Sequence, residues 1–331
     1  MSKIKFYTGL LISLLFLFLS LKNVDFNIVA QSLGRVELKY LLLCVLCYFL
    51  SLFCRAYLWK LILISEKKIR YVHSFEALTI GYMGNNVLPF RMGEAMRAYA
   101  LGTAEGISRT LAFASVIIER LIDLMSLLLF LLLLIVMMSL EEWVIWSGIV
   151  VFGVLLVAAF SLYVLATDLF RLRSRLFQVI LRFIPEGRRG SIERIIDSFI
   201  KGIKLIRSFD QVIRLVLLSL VVWGFWTAIL YFGLKAFQLD LPITASLFIS
   251  VVVNIGVMIP SSPGFIGVFQ YLCVLSLSFF QVPKEVALSF SFLVHMVMYI
   301  PPTLLGWFYL TRMQLTSYQT LKERLEKVDT P

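Results

Sequence analysis

Apolar runs long enough for a helix to cross a bilayer recur along the chain, at about 6–21, 39–62, 110–138, 143–166, 212–236 and 285–311, against the ~20 residues a crossing needs. Two further apolar stretches are broken in the middle: 74–101 by Pro89 and Gly93, and 243–281 by Pro260, Pro263, Gly264 and Gly267. A central Pro or Gly interrupts the backbone hydrogen-bond ladder. At membrane depth such a break is tolerated only inside protein or against a wet cavity. The pattern predicts an all-α polytopic membrane protein with six full transmembrane helices and two broken re-entrant helical hairpins.

Loops set the orientation. Ser65 to Arg70 is basic, and Asp168 to Arg214 carries eleven Lys or Arg against five Asp or Glu, so both are expected on the cytoplasmic side, with Glu141 and Glu142 outside. Threading the chain from a cytoplasmic N-terminus gives two crossings, a hairpin entering from inside and a third crossing. Two more crossings, a hairpin entering from outside and a last crossing then return the C-terminus to the cytoplasm. This predicts two half-repeats of opposite topology, 1–138 and 143–311, joined through a basic segment at 168–211 and followed by a tail at 312–331. Spans beginning near 39 and 212 precede Pro89 and Pro260 by similar distances, and Leu88 to Gly93 matches Ile259 to Gly264 as Leu/Ile-Pro-x-x-x-Gly. Paired broken helices in inverted repeats point to a transport site at the midplane, although two Pro-containing apolar segments can match so short a pattern by chance. Within 190–204, Ile192, Ile195, Ile196, Phe199, Ile200 and Ile203 fall on one helical face with basic residues around them. That helix either lies on the inner leaflet or docks on the bundle.

Composition narrows the class. The chain is 60% hydrophobic and 15% charged with mean hydropathy +0.92, too apolar for a soluble domain. Its net charge of +11 sits in loops beside apolar spans without a nucleic-acid motif, so no nucleic-acid partner is expected. Met1 to Leu21 resembles a signal peptide, but no small-x-small cleavage site follows, which predicts an uncleaved first span. Cys44, Cys47, Cys54 and Cys273 lie in apolar surroundings and read as buried small hydrophobes rather than redox or metal ligands.

Charged chemistry concentrates in two places. Asn85, Asn86, Arg91, Glu94 and Arg97 interrupt the first hairpin, and Glu119, Arg120 and Asp123 lie about ten residues inside the third span. Each such charge costs about 2.5–3.5 kcal/mol at a bilayer centre, so the cluster must face protein or water. Arginine offers a planar fork of donors suited to phosphate or carboxylate oxygens, which makes Arg91, Arg97 and Arg120 candidate headgroup contacts. Glu94 either orients the arginines or titrates between them. Asn85 and Asn86 are expected to satisfy freed backbone, with Asn86 a secondary ligand contact. Glu119 and Asp123 share a helical face, and Arg120 and Asp123 are spaced to pair. Together these side chains form a balanced set of three cations and three anions, which serves either a polar site or the locking of helix to helix. In the second hairpin, Ser261, Ser262 and Gly264 offer hydroxyls and a helix start for a phosphate oxygen. Arg55 is expected to snorkel to the interface, and His295 either handles protons or packs. No P-loop, H-E-x-x-H or G-x-S-x-G occurs, and no cofactor or metal is expected.

The residues Asn86 to Arg97, the pair Glu119-Arg120 with Asp123, and Pro263 to Gly267 resemble the flippase-like transmembrane domain of lysylphosphatidylglycerol synthases, over nearly the whole chain. The resemblance implies a bacterial or archaeal cytoplasmic-membrane protein that moves a lipid or lipid-linked headgroup between leaflets, with membrane lipids of the anionic phospholipid or polyprenyl-phosphate type as partners. Because the chain ends near its last span, transfer of lysine from tRNA is not expected. Gln270 stands where the family pattern leads one to expect an acid, which departs from a two-carboxylate coupling scheme. Beside lipid translocation stand two other readings, an intramembrane transferase with Glu94 or Asp123 as base and a proton-coupled transporter of a soluble anion.

Overall fold

The computed structural model describes residues 3–138, 209–257 and 262–328, with seven isolated positions between 142 and 205. Apart from those positions, the expected span at 143–166 and the basic segment with its amphipathic stretch at 190–204 lie outside the described residues, as does Ser261. Helices account for all the regular structure among the described residues: α1 (Lys3–Leu21), α2 (Phe26–Gly34), α3 (Leu38–Leu63), α4 (Tyr71–Val87), α5 (Gly93–Glu105), α6 (Arg109–Met137), α7 (Phe209–Ala236), α8 (Ile243–Gly256), a 3-10 turn (Pro263–Phe265), α9 (Val268–Ser278) and α10 (Lys284–Val328).

Among the described residues, four helices are long and apolar enough to cross a membrane: α3, α6, α7 from Asp210 and α10 as far as Gln314. The bent pair Leu10–Leu21 and Phe26–Gly34 makes a fifth if it counts as one span. That pair refines the expected first crossing, because the chain turns by 83° after α1. Asn23 adopts a positive φ of 57°, and the Asp25 carboxylate accepts a hydrogen bond from the Asn27 amide at 2.8 Å to start α2.

The long helices are apolar around most of their circumference, as membrane spans are, yet each has a distinguishable inner face. On α3, Leu42, Leu46, Leu50, Phe53 and Tyr57 are exposed, while Cys44, Tyr48, Leu52, Arg55, Trp59 and Ile62 are buried. The buried stripe packs on α7, where the Cys44 thiol donates to the Ile229 carbonyl. Cys47 and Cys273 are also buried, Cys54 is half-buried, and all four cysteines are free.

Both broken stretches fold as helical hairpins, α4 with α5 and α8 with α9. Leu88 is extended, as expected for the residue before a proline, and it ends α4. Phe90 and Arg91 then take left-handed φ values of 59° and 53°, and α5 starts at Gly93. The other tip runs a similar course: after Pro263, Gly264 and Phe265 have φ of 65° and 59°, and α9 follows Gly267. The structural correspondence is therefore Pro89–Gly93 with Pro263–Gly267, three residues away from the Leu88-to-Gly93 and Ile259-to-Gly264 match read from sequence. Consecutive left-handed residues cost roughly 1–2 kcal/mol each when they carry a Cβ, so both tips depend on surrounding contacts. The first hairpin is tight because Gly93 has no Cβ; one placed there would meet the Gly81 carbonyl and the backbone and side chain of Asn85. Its base is held by the Glu105 carboxylate, which accepts from the Arg70 amide at 3.0 Å and meets His73 Nδ1 at 2.8 Å.

Candidate functional site

Helix α6 enters the molecule beside α5, with Glu119 and Asp123 on its inner face. Their packing against α3, α5 and α7 gathers an ion cluster in the core. Arg55 Nη1 lies 3.0 Å from Glu119 Oε1 and 2.7 Å from Asp123 Oδ2. Arg97 Nη1 lies 3.0 Å from Glu119 Oε2. Arg120 reaches Glu119 at 3.0 Å, Asp123 at 3.2 Å and Glu94 at 3.8 Å. Asp123 Oδ1 accepts from Ser219 at 3.2 Å and from the Trp223 indole N–H at 3.3 Å.

Arg55 departs from its expected place. It is only 8% exposed and sits at the centre of the cluster, not at an interface. Eight residues from the end of α3, its head is about 12 Å from that end at 1.5 Å per residue, and two carboxylates stand closer than any headgroup layer. The signal was available in the spacing: Arg55 shares a face with Cys44, Cys47, Tyr48 and Ser51, the small and polar side of an otherwise Leu- and Phe-rich helix. Adding it changes the arithmetic. Arg55, Arg91, Arg97 and Arg120 against Glu94, Glu119 and Asp123 make four cations and three anions, so the balanced set expected from sequence is one positive charge in excess.

These groups surround a cavity of about 200 Å³ lined by all four arginines and Glu94, with Trp223, Trp226, Phe265 and Tyr299 among its apolar walls. Glu119 and Asp123 do not line it. They stand behind the arginines, 0% and 4% exposed, so Glu94 is the one carboxylate of the cluster that lines the cavity beside the four guanidinium groups. Arg91 bridges the two hairpin tips: its Nη2 donates to the Val257 carbonyl at 2.9 Å, and its guanidinium lies 5.3 Å from the Phe265 ring centre.

The remaining candidates are distributed around this cavity. Asn86 lines it, but its amide is committed to α10, donating to Thr303 Oγ1 at 2.8 Å and the Tyr299 carbonyl at 3.2 Å, while the Tyr299 hydroxyl donates back to the Asn86 carbonyl. Asn86 thus joins a hairpin tip to another helix instead of capping its own break. Gly264 lines the cavity at φ 65°, where a Cβ would meet the Tyr299 ring. Ser262 is turned away: its amide donates to Ser13 Oγ at 2.7 Å and its hydroxyl to the Ile266 carbonyl at 3.0 Å, so the structure does not bring it to the site. His295 lies on the cavity wall outside the ion cluster. Its ring stacks on Phe269 at 4.6 Å, and Nδ1 is 2.8 Å from Gln270 Nε2. The Gln270 carbonyl oxygen accepts from the Gly267 amide, which turns the NH₂ toward Nδ1 and makes that nitrogen the acceptor. Among the described residues, no group of three or more His, Cys, Asp or Glu could hold a metal ion.

The family described as lysylphosphatidylglycerol synthase TM region matches residues 6–306 of this chain. A relative, the UPF0104 membrane protein MJ1595 of Methanocaldococcus jannaschii, is 26% identical over 319 residues, which cover 90% of this chain and 92% of the relative. The family match and the long apolar helices together define a polytopic membrane protein.

Proposed function

The chain belongs to the lysylphosphatidylglycerol synthase TM region family, and from that premise we propose that it translocates a lipid with an anionic headgroup between the leaflets of the cytoplasmic membrane. The observation that carries this reading is the placement of charge. Four arginines face one cavity between two hairpin tips, while the two carboxylates that pair with three of them, Glu119 and Asp123, are buried behind them. A site used only to glue helices has no need of a cavity on the cationic side; an anion-handling site does. The acyl chains stay in the bilayer while the headgroup crosses between the tips.

Two features support reading the halves as an inverted repeat. Both tips share the sequence Pro-x-x-Met/Ile-Gly with two left-handed residues in the middle. Packing is also reciprocal: α4 lies on α10 as α8 lies on α6, and α5 adjoins α6 as α9 adjoins α10. Alternating exposure by rocking one half against the other follows from such an arrangement. Exchange then requires Arg91 to leave Val257 and Phe265, since that side chain ties the tips together.

The test is leaflet exchange of fluorescent phosphatidylglycerol in proteoliposomes. The wild type accelerates exchange over protein-free vesicles, and Arg91→Ala changes the rate. Equal rates for the two proteins, or no acceleration by the wild type, would overturn the proposal.

A further inference from the structure

We infer that the cavity selects a headgroup bearing a single negative charge on two adjacent oxygens, an ionised phosphodiester, and that the open edge of Arg97 is its bidentate anchor. This rests on the reading of the cavity as a headgroup site and narrows it: between phosphodiester lipids and lipid monophosphates, it chooses the former.

The charge count comes first. The cluster carries four guanidinium groups against three carboxylates, and among the described residues no other charged side chain lines the cavity. An uncompensated charge held away from water is costly, and removing one partner from a buried set leaves that cost exposed. A ligand with one negative charge completes the set. A dianion overshoots it by one and leaves the opposite excess.

Donor geometry supplies the second, independent observation. Arg97 is 2% exposed and fixed on two sides: Nη1 is bound to Glu119, and the guanidinium face lies 4.9 Å from the Trp59 ring centre. Trp59 is itself held by an indole hydrogen bond to Ser115 at 2.9 Å. The Nε–H and Nη2–H groups have no partner, although Arg97 lines the cavity. Those two N–H groups point in parallel from one edge of the guanidinium, the edge that grips two oxygens of one phosphate. Buried donors are almost always satisfied, so a fixed fork without partners, on a residue that lines the cavity, marks the place of a missing acceptor pair. The Arg120 Nε–H is a third donor without a hydrogen-bond partner.

The experiment measures binding of short-chain lipids to the purified full-length protein by calorimetry. Dihexanoyl phosphatidylglycerol is the monoanion and dihexanoyl phosphatidic acid the monoester, whose second ionisation near pH ~6 gives it two charges at pH 8 and mainly one at pH 5. At pH 8 phosphatidylglycerol binds at least about tenfold tighter, as expected for one uncompensated charge in a partly desolvated site, and the preference narrows at pH 5. Glu94→Gln, at the half-exposed rim of the cluster, raises the excess to two and shifts the pH 8 preference toward phosphatidic acid. Arg97→Lys keeps the charge without the fork and weakens phosphatidylglycerol about tenfold or more. Should Arg97→Lys fail to fold, Glu94→Gln alone decides. Equal or tighter binding of phosphatidic acid at pH 8, or an unchanged preference in Glu94→Gln, overturns the inference.

A third arm uses water-soluble glycerophosphoglycerol. Binding as tight as that of the lipid keeps the phosphodiester site and contradicts a lipid substrate. Phosphatidylglycerol that binds as described without faster leaflet exchange contradicts translocation alone, whereas exchange of phosphatidic acid as fast as phosphatidylglycerol contradicts the selectivity alone.

Discussion

Replacing Arg55 with Met removes the cation expected to snorkel to the interface. Its Nη1 is shared by Asp123 at 2.7 Å and Glu119 at 3.0 Å, and all three residues are buried. Deleting one partner of a buried ion pair costs about 3–5 kcal/mol. Two facts place Arg55→Met at the lower end. Asp123 keeps Arg120, Ser219 and Trp223, and Glu119 keeps Arg97 and Arg120; the cluster also changes from one excess cation to neutral. Asp123→Asn does the reverse, leaving four arginines against two carboxylates, and belongs at the upper end of that range. At roughly 2 °C per kcal/mol for a chain of this size, Arg55→Met lowers the melting temperature in detergent by about 6 °C, and Asp123→Asn by more. The six tryptophans give a fluorescence readout. The double variant melts above the sum of the two losses, because the pair is removed together. A melting temperature for Arg55→Met within about 1 °C of wild type, the change expected of a surface position, would refute the central placement of Arg55.

Two other substitutions test the hairpins. Gly93→Ala places a methyl group against the Gly81 carbonyl and Asn85, so the α4–α5 hairpin must splay; overpacking of this kind costs about 1–3 kcal/mol or more, read as a lower melting temperature, and an unchanged one would contradict the close approach. Phe265→Leu keeps an apolar side chain at the second tip but removes the ring beneath Arg91. It is expected to lose roughly 1 kcal/mol of tip-to-tip contact and to change phosphatidylglycerol exchange in the same direction as Arg91→Ala, an expectation that opposite changes in the two rates would refute.

The long helices α3, α6, α7 and α10 were legible because hydrophobicity alone decides them, and the two hairpins because Pro89 and Pro263 break apolar runs where little else can. The bend after α1 was hidden in Lys22 to Asp25, a short polar interval that reads as a loop until Asp25 is seen capping a new helix. Alignment of the two tips slipped by three residues because Pro260 and Pro263 are both plausible counterparts of Pro89; only the left-handed pair that follows the second of them distinguishes the two. In the site, the acidic and basic residues of α5 and α6 were found from their cost in a membrane. The role of Arg55 was missed for a related reason. A single charge near a helix end can escape to water, and only the position of Glu119 and Asp123, sixty-odd residues later in the chain, makes burial the better choice. Ser262 illustrates the converse, a hydroxyl at a helix start whose orientation is set by a contact with Ser13 that local sequence does not reveal.

Occupancy of the arginine cavity by a lipid phosphate is read most directly from a cryo-EM structure in phosphatidylglycerol nanodiscs. Density for a phosphate within hydrogen-bonding distance of Arg97 Nε and Nη2, with the acyl chains leaving between the helices into the bilayer, is the predicted result. A well-resolved cavity that holds no phosphate while ordered phosphatidylglycerol binds elsewhere on the protein would contradict it.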